Sequence, residues 1–382
     1  MKKIFPLQIS IGWAIVFACL ASPPIARAAI ENSECFGCHS DASLSRSETD
    51  GVSHMSEQLF IDEEKFSHSV HHHNGIGCVD CHADIKTLNY NAKVPHAKQL
   101  APVNCTMCHD EATAAFKNSV HMKIRGKGIT MNCSACHGYH YVRPEESLTV
   151  MERVNNGCAK CHNPYQSHDW LPQKNEHFAF VECVVCHVPE APRHIHLTFF
   201  DLVTNKFYTG QEILKILGIA ENEFIPMLDT NKDGIINVNE FENLELMLRQ
   251  KNVHAIFHAE LVAEMHPIVH QVNRGTALRD CTACHSADSP YFEAVTLVLT
   301  KDDGSADHFQ VDRAVLESFS LRHFYALGGT RIKLLDKIGF LLLAGGFSLV
   351  LGHLAVRIAT IPLRRKNEYE ANQSSIQEEV SK

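Results

Sequence analysis

Two long apolar runs lie near the ends of this chain, and the apolar positions between them come in short stretches. The first run, 9–20, follows Lys2 and Lys3 and leads into Ala26, Arg27 and Ala28. A basic start, a short apolar run and a small-x-small site predict a secretory signal peptide over 1–28, cut after Ala28. Cys19 would be the lipidated residue of a lipoprotein, but bulky Phe17 stands where a small residue is expected. An uncleaved anchor is the third alternative. The second run, 338–356, holds 19 residues without Asp, Glu, Lys or Arg, and His353 is its one ionisable side chain. That length suffices to span a bilayer core. Arg357, Arg364, Arg365 and Lys366 follow it. This basic excess predicts a single-pass helix over 331–361, with the tail 362–382 in the cytoplasm and everything before it in the periplasm of an inner membrane. The polar stretch 367–382 reads as disordered.

Between the ends, Phe224, Met227 and Leu228, and then Phe241, Leu244 and Leu248, have helical spacing. Pro226 is awkward inside the first of these helices. A further helix is expected over 253–272, carrying His254/His258 and His266/His270 as i,i+4 pairs. Residues 294–300 form a β-like run, and Gly328-Gly329 marks a linker into the apolar helix. The expected fold is mainly α with much irregular structure.

The twelve residues 229–240, between the first two of those helices, match a calcium-binding EF-hand loop. Asp229, Asn231 and Asp233 supply side-chain oxygens at positions 1, 3 and 5, and Gly234 stands at position 6. Ile235 would give its carbonyl, Asn237 a water-mediated contact, and Glu240 both carboxylate oxygens. The plain alternative is a solvated, Asx-rich turn. Segment 201–212 has Asp201, Asn205 and Glu212 at ligand positions but lacks an oxygen side chain at position 3 and Gly at 6. It reads as a degenerate, metal-free partner loop.

The cysteines change the picture most. Of 15, 14 fall into seven Cys-x-x-Cys-His motifs, the remaining one being Cys19. The motifs are Cys35/Cys38/His39, Cys78/Cys81/His82, Cys105/Cys108/His109, Cys133/Cys136/His137, Cys158/Cys161/His162, Cys183/Cys186/His187 and Cys281/Cys284/His285. This is the spacing of c-type haem attachment: two thiols bond one porphyrin and the adjacent imidazole binds its iron. Zinc sites and disulfides also use paired cysteines. Neither explains a His after every second Cys with no Cys outside a pair. Seven haem c groups are expected, and export agrees with them.

The first six motifs begin at 35, 78, 105, 133, 158 and 183, so the last five lie 25 to 43 residues after their predecessors. So little polypeptide cannot build a hydrophobic core for each motif, and stacked haems must serve as the core. A six-haem region is expected over 29–199, an EF-hand-like insertion over 200–252 in the 98-residue gap before Cys281, and a seventh-haem region over 253–330.

Beyond the seven motif histidines there are 19 more. Such a surplus favours six-coordinate, bis-His iron. Distal candidates are His71 and His121, each in a Ser-Val-His segment, His96 before Cys105, His140 after motif four, His177 before Cys183, and His270 before Cys281. His168 also flanks Cys183, His266 competes with His270, and His54 and His68 are open alternatives for the first haem. His72 and His73 read as spare. The net charge of −9, from 35 basic and 44 acidic residues, gives nucleic-acid binding no support.

The seven motifs and the Ser-Val-His segments resemble the bacterial multihaem cytochromes c of respiratory chains, over about 35–187 and 254–285. The resemblance implies closely packed bis-His haems that pass electrons along a row. It also implies a quinol-reactive or cytochrome b membrane partner and soluble or outer-membrane cytochromes as exchange partners. Quinol-oxidising tetrahaem relatives carry an N-terminal anchor, whereas the anchor expected here is C-terminal. Gly339, Gly346 and His353 share one stripe of the apolar helix, a candidate face for that membrane subunit, with His353 near a haem b or quinone. No catalytic residue is assigned. The alternative is a multihaem reductase or oxidase of a small nitrogen or sulfur oxyanion at one open iron. A sensor would need an output domain larger than the short tail.

Overall fold

The computed structural model describes residues 30–47, 56–127, 131–286, 288–301, 303, 305–318, 326 and 333–380. The expected leader 1–28, Cys19, His54 and the expected linker at Gly328-Gly329 lie outside them. Contacts divide the chain into two units, Met1–Phe60 with Gly77–Pro102, and Ile61–Ile76 with Val103–Lys382.

The first unit carries motifs one and two. Its helix Asn32–His39 is opened by the Glu31 N–H, which donates to the Glu34 carboxylate at 2.9 Å. A small hairpin follows, β1 (Ser45–Ser47) against β2 (Ser56–Gln58), with Arg46 opposite Glu57 and ion-paired to it. The helix Asn32–His39 and the turn Cys78–Cys81 bury no side chain. The polypeptide of this unit supplies almost no interior of its own.

The second unit has a hydrophobic core, and a five-stranded sheet organises it. The strands are β3 (Arg193–Asp201), β4 (Lys206–Tyr208), β5 (Ala255–Ala263), β6 (Val295–Thr300) and β7 (Ala306–Gln310). β5 runs antiparallel along all of β3, from Arg193 opposite Ala263 to Asp201 opposite Ala255. β4 pairs antiparallel with the end of β3, β6 pairs parallel with its middle, and β7 closes antiparallel on β6. Side chains alternate between faces along each strand. One face presents Ile195, Leu197, Phe199, Phe257, Leu261, Leu297 and Leu299, all nearly fully buried. The helices Gly210–Leu217, Glu221–Leu228 and Val238–Gln250 cover it with Ile213, Phe224, Phe241, Leu244 and Leu248. Phe241 meets Phe257 edge-on at 4.2 Å. Each such side chain is worth about 1.5–3 kcal/mol of burial.

The sheet corrects the expected fold in three places. Residues 255–263 are a strand and not a helix, and Pro267–His270 is a single 3-10 turn. Every position of β5 is buried on both faces, so its sequence is almost continuously apolar and carries no strand period. The i,i+4 histidines then suggested a helix that does not form. Second, 201–212 is no loop of the EF-hand type. Asp201 ends β3 and its carboxylate accepts from Val203 and Thr204 N–H at 2.8 and 2.9 Å, forming the β3–β4 turn. Thr209 and Glu212 are the capping box of the next helix. Third, 193–201 belongs to the same sheet as 255–263, so the structure that fills the gap between motifs six and seven begins before residue 200.

Near the C-terminus, helix Lys333–Ala359 contains a stretch, Lys337–Ala359, that is long and apolar enough to cross a membrane. Its exposed Phe340, Leu343, Phe347 and Leu349 leave no polar face there, which is compatible with an anchor. The tail expected to be disordered continues as helix Ile361–Val380, rich in helix-favouring Glu, Arg, Lys and Gln, with Pro362 in its tolerant first turn.

Candidate functional site

Each motif is built on one helical turn. The N–H of the motif His donates to the carbonyl of the first Cys in motifs two, three, four, five and seven, at 2.8–3.1 Å. One turn sets the cysteines three residues apart on one face. The turns at motifs one, two, four and seven bury nothing.

Within each unit, thiols of consecutive motifs are neighbours. Cys35 is hydrogen-bonded to Cys78, which draws it down to about 7 and pushes Cys78 up. In the second unit Cys105 meets Cys133, Cys136 lies in the field of Cys158, Cys158 is hydrogen-bonded to Cys183, and Cys186 lies in the field of Cys284. The attachment points of motifs three to seven thus follow one another in chain order.

The second cysteines differ in their cover. Cys38, Cys81, Cys108 and Cys161 are exposed, whereas Cys186 and Cys284 are half-buried. The reason lies in the turn. Cys38 lies in the last turn of the helix Asn32–His39, where its carbonyl accepts the Asp41 N–H at 3.1 Å. Cys108 and Cys161 close 3-10 turns, donating their N–H groups to the carbonyls of Cys105 and Cys158 at 3.3 and 3.2 Å. These backbone bonds fix the positions of Cys38, Cys108 and Cys161 but bring no apolar side chains over their thiols. Cys186 and Cys284 instead lie next to the sheet's hydrophobic core, against which Cys284 packs. An exposed thiol beside a fixed imidazole suits attachment of a large planar group, which would itself cover the sulfur.

Six motif histidines face a second imidazole. Ring centroids are 6.1 Å apart for His39 and His96, 6.2 Å for His71 and His109, and 6.0 Å for His121 and His162. They are 6.0 Å apart for His137 and His270, 5.9 Å for His168 and His187, and 6.0 Å for His177 and His285. Two imidazole nitrogens each bonded at about 2 Å to one metal put the ring centres roughly 6 Å apart. The spacing therefore fits an iron held from both sides.

Several of these rings are oriented through Nδ1. It lies 2.8 Å from the Leu59 carbonyl for His39, 2.8 Å from Ala97 for His96, and 2.9 Å from Pro164 for His168. For His177 and His270 the acceptors are Gln173 and Pro267, both at 3.1 Å. A ring that donates from Nδ1 presents Nε2 as the ligand atom. His137 Nδ1 instead faces Glu145 at 3.6 Å. Burial pushes the Glu145 carboxyl up, but His137 and Arg153 hold it below its ordinary value. Burial keeps His71, His121, His187 and His270 below their usual range, which favours the neutral imidazole a metal requires.

The pairs cross the chain in a way that local assignment misses. His71 precedes motif two but faces the His of motif three, and His121 precedes motif four but faces that of motif five. His96 turns back to motif one, the site for which His54 and His68 stood as alternatives. His270 faces motif four, and His177 faces motif seven. His168, treated only as a flanking residue, faces motif six. The Ser-Val-His segments are alike in structure: Ser69 and Ser119 are buried N-caps, and the Val70 and Val120 N–H groups donate to Val142 and Val272 carbonyls. His140 therefore stands in the first arrangement where His270 stands in the second, which keeps it a candidate ligand, although its ring meets those of Tyr139 and Tyr141. His68 is held by Glu64 O at 2.7 Å in the same Nδ1 fashion. His72 packs on Phe66 and His73 on His72.

The loop 229–240 joins helices Glu221–Leu228 and Val238–Gln250, with Pro226 inside the first. The Asp229 carboxylate accepts from Asp233 and Gly234 N–H at 3.2 and 2.9 Å, and Asp233 accepts from Ile235 N–H at 2.8 Å. Glu240, 2 % exposed, reaches back to Thr230 N–H at 2.8 Å, and Asn237 caps the second helix. Gly234 has φ +79°, a left-handed turn that suits glycine. The oxygen groups thus converge on one loop. Ile236 exchanges backbone hydrogen bonds with Gln310 and Asp312 at 2.9 Å, docking the loop on the end of β7. In the apolar helix, Gly339 and Gly346 have open space beside them, and His353 is exposed.

No curated protein and no solved structure matches the chain. A family model does: residues 64–138, which contain motifs two, three and four, match cytochrome c7 and related cytochrome c. This stretch is accordingly cytochrome c7-like, the mark of a multihaem c-type cytochrome with covalently bound haem c and a part in electron transfer.

Proposed function

We propose that this protein is a membrane-anchored, periplasmic heptahaem cytochrome c. It would carry electrons between a quinol-reactive or cytochrome b membrane subunit and soluble or outer-membrane cytochromes. The observation that carries this reading is the set of six motif histidines that each face a second imidazole at 5.9–6.2 Å. When bound, haem supplies reversible one-electron iron chemistry, tuned by axial ligands, burial and nearby charge. The chain's own task is to order the sites. Its cysteines would tether the groups, its paired imidazoles would hold six irons from two sides, and Glu145, 3.6 Å from His137 Nδ1, would orient that ring.

At the six motifs whose histidine faces a second imidazole, ligation from both sides would leave no open iron, which favours electron transfer there over the reduction of a small oxyanion. The loop 229–240 is read as an EF-hand that takes calcium through Asp229, Asn231, Asp233, Ile235, Asn237 and Glu240, fixing the inserted helices against the sheet. Helix Lys333–Ala359 is read as the anchor, with Gly339, Gly346 and His353 toward the membrane partner.

The deciding experiment is an EPR spectrum of the oxidised protein, purified with its membrane partners, beside a pyridine haemochrome count. Seven haems c with low-spin signals support the electron-transfer reading. A high-spin haem c that shifts on adding nitrite moves the assignment to an enzyme.

A further inference from the structure

The second face of the sheet holds a polar cluster that belongs to none of the seven motifs. Alternation along β3 puts His194 and His196 opposite the apolar face of Ile195 and Leu197. Across β5, His196 stands opposite Glu260, Thr198 opposite His258, and His194 opposite Val262. Through β6, where His196 pairs with Thr296, and β7, where Val298 pairs with His308, the same parity brings His308 to this face. The turn Glu145–Ser147 and helix Val150–Asn156 cover it, with Val150 and Val154 packed on Val262. That cover inserts Glu146.

Glu146, His194 and His196 are 6, 3 and 1 % exposed. One ligand atom of each lies within 4.8 Å of the other two. Glu146 Oε2, His194 Nε2 and both ring nitrogens of His196 are buried without a hydrogen-bond partner. His196 Nδ1 is 3.9 Å from Glu146 Oε2, and His308 Nε2 is 3.9 Å from Glu146 Oε1, both too long for hydrogen bonds. Rings of His194 and His308 meet edge-on at 5.4 Å. Buried polar atoms are normally satisfied, and several unsatisfied ones converging on one point call for a missing partner. Donors around a tetrahedral ion with bonds of about 2.0–2.2 Å stand roughly 3.4 Å from one another, so the two 3.9 Å pairs here would draw together by about half an ångström on binding.

We propose that Glu146, His194 and His196, with His308 as fourth ligand, form a buried non-haem site for a divalent first-row transition ion. Three imidazoles and a carboxylate, with no thiolate, suit zinc(II) and its nitrogen- and oxygen-preferring neighbours. Burial draws His194 down to about 4 and His196 well below its ordinary value, so both are the neutral imidazoles that bind metal. His308, 37 % exposed, is the entry side. Behind the site, His258 Nε2 is 2.9 Å from Glu260 Oε1, and Glu260 Oε2 accepts the Val150 N–H at 3.0 Å, anchoring the cover. The ion would cross-link β3, β7 and the cover, which holds motifs four and five beside the sheet.

The test uses the full-length holoprotein, incubated with zinc(II), desalted and analysed by elemental mass spectrometry beside a haemochrome count. One divalent transition ion per chain, beyond haem iron, is the expected result. His196→Gln and Glu146→Gln should each lower it about tenfold or more while the haem count stays unchanged. If a variant loses its haems as well, X-ray absorption of the zinc-loaded wild type decides: nitrogen and oxygen neighbours near 2.0 Å with no sulfur uphold the site. Sulfur neighbours, a wild type without stoichiometric metal, or variants that keep it overturn the site and leave the haem assignment standing.

Discussion

His270 faces His137 with ring centroids 6.0 Å apart, although His270 precedes the seventh motif and His137 ends the fourth. The 3-10 turn Pro267–His270 and the hydrogen bond from Val120 N–H to Val272 O bring the two segments together. If both bind one iron, His270→Met should raise the potential of one haem, because Met ligation favours the reduced state. In a protein that lacks the fourth haem, through Cys133→Ala with Cys136→Ala, the same substitution should change nothing further. A new spectral change in that background would assign His270 to another motif.

Glu145 places a carboxylate 3.6 Å from His137 Nδ1. Glu145→Gln removes negative charge beside that imidazole. The potential of one haem should rise by up to about 60 mV, a tenfold change in a one-electron equilibrium. A spectroelectrochemical titration reads it. A titration curve identical to the wild type would show that Glu145 has no electrical contact with the site.

Phe257 is 1 % exposed and packs on Phe241 and Phe199 at the centre of the sheet's apolar face. Phe257→Ala should cost about 3–5 kcal/mol. Denaturant unfolding followed by far-UV circular dichroism measures this loss. Thioether bonds being covalent, the haem count should stay that of the wild type.

Calcium should raise the melting temperature of the wild type, since a ligand bound only by the native state stabilises it. Glu240→Gln should abolish most of that shift, because position 12 supplies two ligand oxygens. A shift that survives in the variant would move the ion out of the loop 229–240.

His353 lies on the exposed surface of the apolar helix with Gly339 and Gly346 on its stripe. His353→Leu should slow quinol-dependent haem reduction in membranes while reduction by dithionite stays normal. Unchanged quinol-driven rates would remove His353 from the partner site.

The motifs, the loop 229–240 and the apolar helix were legible in the chain because each is local. Haem attachment needs Cys, Cys and His within five residues, an EF-hand-like loop needs its oxygens within twelve, and a membrane span needs an unbroken apolar run. Cover over the thiols was not legible in the motifs: Cys38, Cys108 and Cys161 share the spacing of Cys186 and Cys284, yet only the latter two lie beside the sheet. Pairing of the imidazoles was not local either. His71 and His121 look like partners of the motifs that follow them, yet backbone contacts with Val142 and Val272 direct each past its neighbour to the next motif. The strand β5 was hidden because burial on both faces erases the alternation that marks a strand. The cluster of Glu146, His194, His196 and His308 was hidden for a related reason. Only His194 and His196 are close in sequence, and it takes the register of β3, β6 and β7 to bring His308 to their face and the covering turn to supply Glu146. Sequence alone thus determined the local motifs of each segment, while tertiary structure decided which distant side chains lie side by side, because strand register and chain crossing are set by burial across the whole unit.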